Sequence, residues 1–317
     1  MSDGQATSRG GTFPTRRGTP PPMGFFEAPR PAAGEASFGL SLDAIRIRLE
    51  GLDAPRATDL ARRYGPYAGA VAPGPGVLRV RVALEDRDYF IDPPSSPEFN
   101  PVWIEPEGTH RIRYAGYKVA GWFDTLAGEG TLLLARGDYE PDLRSFENFI
   151  RVAVAWRAAE LGGAFVHGAS AVWRDRAYLF FGESGAGKST LAAADRRGRI
   201  VSDDLTLLLP RPGAAGLDVV GSPFRGTYEG GEPVVGRFPL AAGFRLVKAD
   251  LARVVAAPRV LVLGQLVGNL TFVAEAFDRR PDLFASVERA FATTPLAHLH
   301  FTRDDSYWDA IAAAGWA

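Results

Sequence analysis

Residues 182–189 of this 317-residue chain form a glycine-rich loop that permits few backbone arrangements. Their sequence, Gly-Glu-Ser-Gly-Ala-Gly-Lys-Ser, matches the pattern G-x-x-x-x-G-K-[ST], which wraps around phosphate groups. The apolar run 177–181 precedes the loop, and the helix-forming run 189–197 follows it and ends at Gly198. This context predicts a strand, a phosphate-binding loop and a helix, and hence an α/β domain.

Each part of the loop has a chemical role toward a nucleoside triphosphate. The glycines let the backbone turn and direct N–H groups at phosphate oxygens, Lys188 adds positive charge, and Ser189 offers its hydroxyl to Mg²⁺. We therefore expect ATP and Mg²⁺ as cofactors. The residues expected to bind them are Gly182, Glu183, Ser184, Gly185, Ala186, Gly187, Lys188, Ser189 and Thr190.

An acidic motif, Ser202-Asp203-Asp204, follows the apolar pair Ile200-Val201. Its aspartates come 15 and 16 residues after Lys188, so no helical domain is inserted between loop and motif. ABC-type transport ATPases place their acidic motif far downstream, after a Leu-Ser-Gly-Gly signature that this chain lacks. One aspartate can hold Mg²⁺ while the other faces a phosphate acceptor. Because neighbouring strand residues point to opposite faces, both serve one site only if the strand ends there.

Composition excludes several classes of function. A net charge of −1 gives no electrostatic reason to expect nucleic acid or an acidic membrane surface. The absence of cysteine excludes disulfides, thiolate metal sites and cysteine nucleophiles. The N-terminal residues lack the apolar core of a signal peptide, and no later stretch reaches the roughly 18 apolar residues of a membrane helix. We expect a cytoplasmic protein that binds neither nucleic acid nor membrane.

The chain divides by composition into three parts. Residues 1–35 are polar and proline-rich and predict a disordered tail. Residues 36–140 alternate polar and apolar side chains in short runs, including 44–49, 77–82, 110–119 and 130–135, which predicts a strand-rich domain with one helix near 57–64. Residues 141–317 begin with a predicted amphipathic helix over 141–161 and contain the glycine loop.

The approach to the loop is also informative. Residues 164–173 and 177–181 read as two strands joined by the polar turn Arg174-Asp175-Arg176. A simple doubly wound nucleotide fold reaches its loop by a parallel strand after a helical crossover. An antiparallel hairpin before the loop predicts a mixed sheet instead.

Three motifs in this order resemble the C-terminal kinase domain of HPr kinase/phosphorylase, which is related in fold to the phosphoenolpyruvate carboxykinases. They are Val166-His167-Gly168-Ala169, residues 182–190 and Val201-Ser202-Asp203-Asp204, and the resemblance covers roughly residues 160–300 and extends to 222–227. It implies a mixed-sheet P-loop kinase domain after a smaller strand-rich α+β domain. The implied activity is ATP-dependent transfer of the γ-phosphoryl group to a serine or other hydroxyl of a peptide, protein or small molecule.

The resemblance also suggests roles for single residues. It assigns Asp203 as the base that faces the acceptor and Asp204, with Ser189, as the metal ligand. His167 would hydrogen-bond one aspartate and tune its basicity. Lys188 and Arg225 would neutralise charge on the transferring phosphate, although Arg225 has the equal alternative of bracing a loop.

The acceptor is expected to differ from that of the family's bifunctional enzymes. The chain lacks their Glu-x-Arg-Gly-Leu-Gly segment, which implies a related kinase rather than HPr kinase itself. The family further suggests a homo-oligomer. The alternative function is a nucleotide-dependent switch, or an ATP-binding module with slow hydrolysis, which needs only an oriented water beside the phosphate.

Two other groups of polar residues carry weaker signals. His298 and His300 share one face of an apolar run, and without a third ligand nearby they favour packing or a solvated edge over metal binding. Asp304-Asp305 precedes Tyr307-Trp308 and favours a helix cap or a surface turn.

Overall fold

A computed structural model of the chain describes residues 20–92, 102–136, 144–226, 230–277 and 280–316. These residues form a mixed α/β protein, as the sequence predicts, and they group into two compact units. The first contains the described residues of Met1–Leu40, Arg46–Arg62 and Ala68–Ala153, and the second those of Ser41–Ile45, Arg63–Tyr67 and Val154–Ala317. The predicted boundary at 140–141 lies before the point where the chain finally enters the second unit.

The first unit is strand-rich. Its strands are β1 (Ala36–Leu42), β2 (Ile45–Leu52), β3 (Val77–Leu84), β4 (Trp103–Glu107), β5 (Arg111–Ala115), β6 (Val119–Asp124) and β7 (Glu129–Leu134), and its helices are α1 (Met23–Phe26) and α2 (Ala54–Tyr64). They form one sheet in the order β1-β2-β3-β7-β6-β5-β4, in which β2, β3 and β7 are parallel and β4 to β7 antiparallel. In β3, Val80 and Val82 are buried and Arg79 and Arg81 exposed, so the predicted alternation is confirmed there.

The disordered tail predicted over 1–35 is wrong for residues 20–35, whereas residues 1–19 lie outside the described part of the chain. Phe26 at the end of α1 is buried in a cluster with Ala83 and Phe90. The Arg30 guanidinium lies 4.4 Å from the centre of the Phe25 ring. The proline content of this short segment suggested disorder. Its two adjacent aromatic side chains nevertheless supply enough apolar surface to order it.

The run 110–119, predicted as one strand, belongs to two antiparallel strands. Strand β5 ends at Ala115 and β6 begins at Val119, and the Gly116 N–H donates to the Val119 carbonyl at 2.8 Å across the turn. The polar/apolar alternation breaks at Tyr114-Ala115-Gly116, which is where the first of the two strands ends.

The second unit contains the glycine loop and has a mixed sheet. Its helices are α3 (Arg144–Glu160), which begins in the first unit, α4 (Lys188–Ala194), α5 (Arg259–Val267), α6 (Pro281–Ala290) and α7 (Tyr307–Ala313). Its strands are β8 (Ala164–Trp173), β9 (Arg176–Phe181), β10 (Arg199–Ser202), β11 (Leu205–Pro210), β12 (Leu217–Val220), β13 (Arg237–Lys248), β14 (Arg253–Val255) and β15 (Leu296–Phe301). The sequence patterns predict no element at β14, α5 or α7.

The strand that leads into the loop lies inside this sheet. Strand β9 pairs antiparallel with β8 and parallel with β13, and β13 pairs parallel with β15. The predicted hairpin and mixed sheet are thus confirmed. Since β9, β13 and β15 run in one direction, their carboxyl ends lie at the same edge, where ligands bind in open α/β sheets.

An aromatic core fixes the helices next to the loop against one face of this sheet. Phe180 and Phe244 stack with ring centres 6.0 Å apart, and Trp308 of α7 packs edge-on against Phe180. Leu191 of α4 belongs to the same buried cluster. The helix that follows the loop is therefore held by its apolar face, while its first turn is left at the surface.

Candidate active site

The loop between β9 and α4 adopts a backbone that only glycine tolerates well. Gly182, Gly185 and Gly187 have φ angles of +153°, +77° and +107°, in the left-handed region that side chains disfavour. At Gly187 a Cβ atom would also lie 2.5 Å from Cζ of Phe301. The glycines of the motif are therefore required by the turn itself and by the ring beneath it.

Lys188 extends back into the loop. Its Nζ donates hydrogen bonds to the carbonyl oxygens of Gly182 at 2.8 Å and of Glu183 at 3.3 Å, and the residue is only 7% exposed. Burial lowers the pKa of this ammonium below its usual value of 10.5, and the negative charge of Asp204 opposes that lowering. A charged donor held inside the loop is suited to phosphate oxygens.

The other loop residues predicted to bind nucleotide line the outside of this turn. Glu183, Ser184 and Gly185 are exposed, Ala186 and Gly187 are half-buried, and Ser189 and Thr190 are exposed on the first turn of α4. Ala186 N–H donates to the Glu183 carbonyl at 3.0 Å, which closes the turn. A ligand can therefore reach the loop backbone and the Ser189 hydroxyl together.

The aspartate pair lies in a turn organised by Ser202. Strand β10 ends at Ser202 and β11 begins at Leu205, so the strand does end at the pair. The buried Ser202 hydroxyl accepts from the N–H groups of Asp204 at 3.2 Å and Leu205 at 3.0 Å and donates to the Phe224 carbonyl at 2.9 Å. Ser202, which the motif includes without an assigned role, thus fixes the turn and joins it to the segment around Phe224.

Asp204 faces the loop together with His167. His167 Nε2 lies 3.4 Å from Asp204 Oδ1, and their side chains are 40% and 29% exposed. The strand pairing fixes this approach, because Gly168 N–H donates to the Asp204 backbone carbonyl at 2.9 Å. The three predicted residues His167, Lys188 and Asp204 therefore come together at the open side of the loop.

Asp203 is not at the open side, contrary to the expectation that it faces the acceptor. It is 1% exposed, and its Oδ1 accepts a hydrogen bond from Gly226 N–H at 2.7 Å. A Cβ added to Gly226 would lie 2.9 Å from Asp203 Oδ2, so this glycine covers the carboxylate closely. The bond from Ser202 to Phe224 holds the same segment against the aspartate turn.

Arg225 also has its side chain elsewhere. Its guanidinium donates to the carbonyl oxygens of Gly230, Gly231 and Glu232 at 3.0–3.2 Å, which is the loop-bracing alternative. Thr227, the last residue of the 222–227 segment, lies outside the described residues.

Two oxygen groups predicted to hold a magnesium ion have the chemistry that this ion takes. Mg²⁺ in phosphate-binding sites keeps several waters and takes only one or two protein oxygens besides the phosphates. Ser189 and Asp204 supply a hydroxyl and a carboxylate of this kind. Within the described ranges, no three histidine, aspartate or glutamate side chains gather as a metal cluster.

Asn269, which no sequence motif includes, helps to position this site. The Asn269 carbonyl accepts the His167 N–H at 2.7 Å, and the Asn269 side chain donates to the Gln265 carbonyl at 2.8 Å in α5. Gln265 Oε1 in turn lies 3.2 Å from Nε2 of His298, which fits the packing role expected of that histidine. No local sequence signal indicates Asn269, because its role depends on an isolated bridge between distant segments.

Asp304 makes the contacts of a turn before a helix. Its Oδ1 accepts from Ser306 N–H at 3.0 Å and from the Thr302 hydroxyl at 2.7 Å, and α7 begins one residue after Ser306. The expectation of a cap or surface turn is confirmed.

The sequence matches no model of a known protein family and no curated protein. In the described part of the chain, no helix combines the length and apolar character needed to cross a membrane.

Proposed function

We propose that this protein is a nucleotide-dependent phosphotransferase that moves the γ-phosphoryl group of ATP to a hydroxyl acceptor, with a P-loop kinase fold of the HPr kinase type. The observation that carries the proposal is the convergence of Lys188, Asp204 and His167 on the open side of the glycine loop. A cation inside the loop and a carboxylate–imidazole pair beside it are the groups that phosphoryl transfer to a hydroxyl requires.

The chemistry divides among these groups. The bond from the γ-phosphorus to the β–γ bridging oxygen breaks, a bond from the acceptor oxygen to phosphorus forms, and the acceptor proton passes to the His167–Asp204 pair. Lys188 compensates the negative charge on the phosphate oxygens. Ser189 would hold Mg²⁺, which supplies positive charge to the phosphates when bound, and the Asp204 carboxylate is left to the acceptor proton.

The exposure of the two aspartates changes their proposed roles. An acceptor can reach Asp204, whereas Asp203 is covered by Gly226. We therefore assign the reacting carboxylate to Asp204 and a structural role to Asp203, which anchors the Gly226 segment.

The test follows label from γ-³²P-ATP with Mg²⁺ into the acceptors of a host-cell extract. We expect an acid-stable phosphoester, because transfer to a hydroxyl gives an ester whereas acyl phosphates and phosphohistidine hydrolyse in acid. Asp204→Asn should lower transfer by about 10²–10⁴-fold, the range for a lost general base. Asp203→Asn should retain more activity, and Asp86→Asn, an 82% exposed side chain of the first unit, should match wild type.

Two outcomes would contradict the proposal. If the wild type binds ATP and releases only inorganic phosphate, with no labelled acceptor, a nucleotide-dependent switch describes the function better than a kinase does. If Asp204→Asn transfers label as fast as the wild type while remaining folded, the assignment of the site is wrong.

A further inference from the structure

The connection between β12 and β13 is bonded to the aspartate turn. Strand β12 ends at Val220 and β13 begins at Arg237. Within this connection Phe224 is 1% exposed, and its carbonyl accepts the hydroxyl of Ser202, which in turn accepts the Asp204 N–H. The position of Asp204 therefore depends on where Phe224 lies.

Phe224 also contacts the strand that carries His167. Its ring packs edge-on against Phe165 of β8, with the ring centres 5.4 Å apart. Phe165 and His167 are two positions apart in this strand, so their side chains share one face of it. One residue thus touches the supports of both members of the pair, the turn of Asp204 through its carbonyl and the strand of His167 through its ring.

A residue from the N-terminal half of the chain packs on the same ring. Tyr64, the last residue of α2, is 2% exposed and packs edge-on against Phe224, with the ring centres 6.1 Å apart. Helix α2 ends there because Gly65 takes a φ of +49°, the left-handed conformation that commonly ends helices. Residues 63–67 group with the second unit, although α2 begins in the first.

The same short segment also holds the far end of the connection. Tyr67 is 6% exposed, and its hydroxyl donates to the Val234 carbonyl at 3.2 Å. Val234 lies just before β13 begins. Residues 63–67 therefore fix the connection near both of its ends, at Phe224 and at Val234.

We infer that Tyr64 is a positioning residue for phosphate transfer, an inference that rests on the proposed function. Its ring holds Phe224 against β8, and Phe224 holds the turn at Ser202. The Asp204 carboxylate is thereby kept beside the His167 imidazole, 3.4 Å away. Tyr64 acts through Phe224 and not on the reacting groups themselves, so it governs the rate of transfer rather than the binding of ATP.

The experiment replaces Tyr64 with leucine, which removes the ring but keeps an apolar side chain. Tyr64→Phe retains the ring and serves as the conservative variant. The matched control is Tyr114→Leu, because Tyr114 of β5 is also fully buried and packs edge-on against Phe149, with ring centres 5.5 Å apart, but belongs to the first unit. Each variant is measured for transfer of label from γ-³²P-ATP with Mg²⁺ into one host-cell extract, for ATP affinity by isothermal titration calorimetry, and for its urea midpoint.

The expected pattern separates positioning from general support of the fold. Tyr64→Leu should lower the transfer rate by about 10–100-fold, because a reacting group misplaced by about 1 Å can cost about 10²-fold. Its ATP affinity should stay within about twofold of wild type, because the bonds of Lys188 are made inside the loop. Tyr64→Phe should transfer label at the wild-type rate. Tyr114→Leu should lower the urea midpoint as Tyr64→Leu does and still transfer at the wild-type rate.

A double-mutant cycle tests the route through Ser202. Ser202→Ala breaks the bond to Phe224, so adding Tyr64→Leu to it should slow transfer much less than Tyr64→Leu does alone. Equal losses in both backgrounds would contradict the route. Phe224→Leu changes the other ring of the contact and should also slow transfer without loss of ATP affinity, which supplies the measurement if Tyr64→Leu does not fold.

The results separate this inference from the proposed function. If Tyr64→Leu and Tyr114→Leu transfer label equally fast, the inference is wrong, although the kinase activity of the wild type stands. If Tyr64→Leu loses ATP affinity as strongly as it loses transfer, the ring supports the whole unit rather than the reacting pair, and the inference is again wrong. If the wild type binds ATP but labels no acceptor, the proposed function fails and the inference with it.

Discussion

Replacing Gly187 with alanine tests whether the glycine loop is fixed by the ring beneath it. A Cβ at this position would lie 2.5 Å from Cζ of Phe301, and 3.4 Å from both of the neighbouring ring atoms. Phe301 is 3% exposed at the end of β15, so its ring has little room to withdraw. The matched control is Gly185→Ala, because Gly185 also has a positive φ of +77° but has no atom within 4 Å of its Cβ position.

The expected magnitude follows from the difference between the two sites. Both substitutions place alanine in a left-handed backbone conformation, which destabilises the folded state by about 1–2 kcal/mol. Both also reduce the conformational entropy of the unfolded chain by the same amount. Only Gly187→Ala adds the overlap with Phe301, for which overpacking of a core costs about 1–3 kcal/mol. The free energy of unfolding of Gly187→Ala should therefore be about 1–3 kcal/mol lower than that of Gly185→Ala.

Urea denaturation followed by circular dichroism measures this difference, and equal m values show that the same surface is exposed in each variant. A second pair carries the same two substitutions in a Phe301→Leu background, where the ring is absent and the difference should shrink. If Gly187→Ala and Gly185→Ala are equally stable, the ring does not fix the loop and the steric argument is refuted.

Two further predictions concern the turn and the acid stability of the second unit. Ser202→Ala removes the hydroxyl that joins the aspartate turn to Phe224, so it should lower the free energy of unfolding by about 1–3 kcal/mol and slow phosphate transfer, as denaturation and label transfer would show. The hydrogen bond from Arg237 holds the pKa of Asp43 below its usual 3.8, so this carboxylate stabilises the fold above that pH and loses its contribution as the pH falls through the lowered pKa. Because the Asp43 side chain is 38% exposed, Asp43→Asn should lower the free energy of unfolding by less than about 1 kcal/mol at neutral pH. The difference from wild type should vanish in acid, and a difference that does not change with pH would contradict this prediction.

The local signals in the sequence predicted the elements around the loop. Glycines at positions with positive φ, an apolar run before them and helix-forming residues after them all act over a few residues, so the strand, loop and helix follow from the chain itself. The polar turn at 174–176 likewise predicts the hairpin, and Arg174 and Asp175 do adopt positive φ angles of 51° and 60°.

What the sequence did not reveal depends on contacts between distant segments. The different exposure of Asp203 and Asp204 arises from Ser202, whose hydroxyl bonds a carbonyl 22 residues away. Helix α5 was missed because its run of valine and leucine is typical of strands, and Val260 is 79% exposed in a helix that buries only part of its apolar surface. Neither feature has a signature in local periodicity.

The central claim, that the loop binds a triphosphate through Lys188, is tested most directly by equilibrium binding of ATP with Mg²⁺. The chain has three lysines, and Lys118 provides a matched control. Lys118 Nζ donates to two backbone carbonyls at 2.8 and 3.3 Å, the same distances as for Lys188, but it belongs to the first unit.

We predict that Lys188→Met weakens ATP binding by about 10–100-fold, because it removes charge-assisted hydrogen bonds worth about 1.5–3 kcal/mol, whereas Lys118→Met binds ATP within about twofold of wild type. Both variants should retain wild-type circular dichroism. Equal ATP affinity of Lys188→Met and the wild type would contradict the account of the loop as a phosphate site.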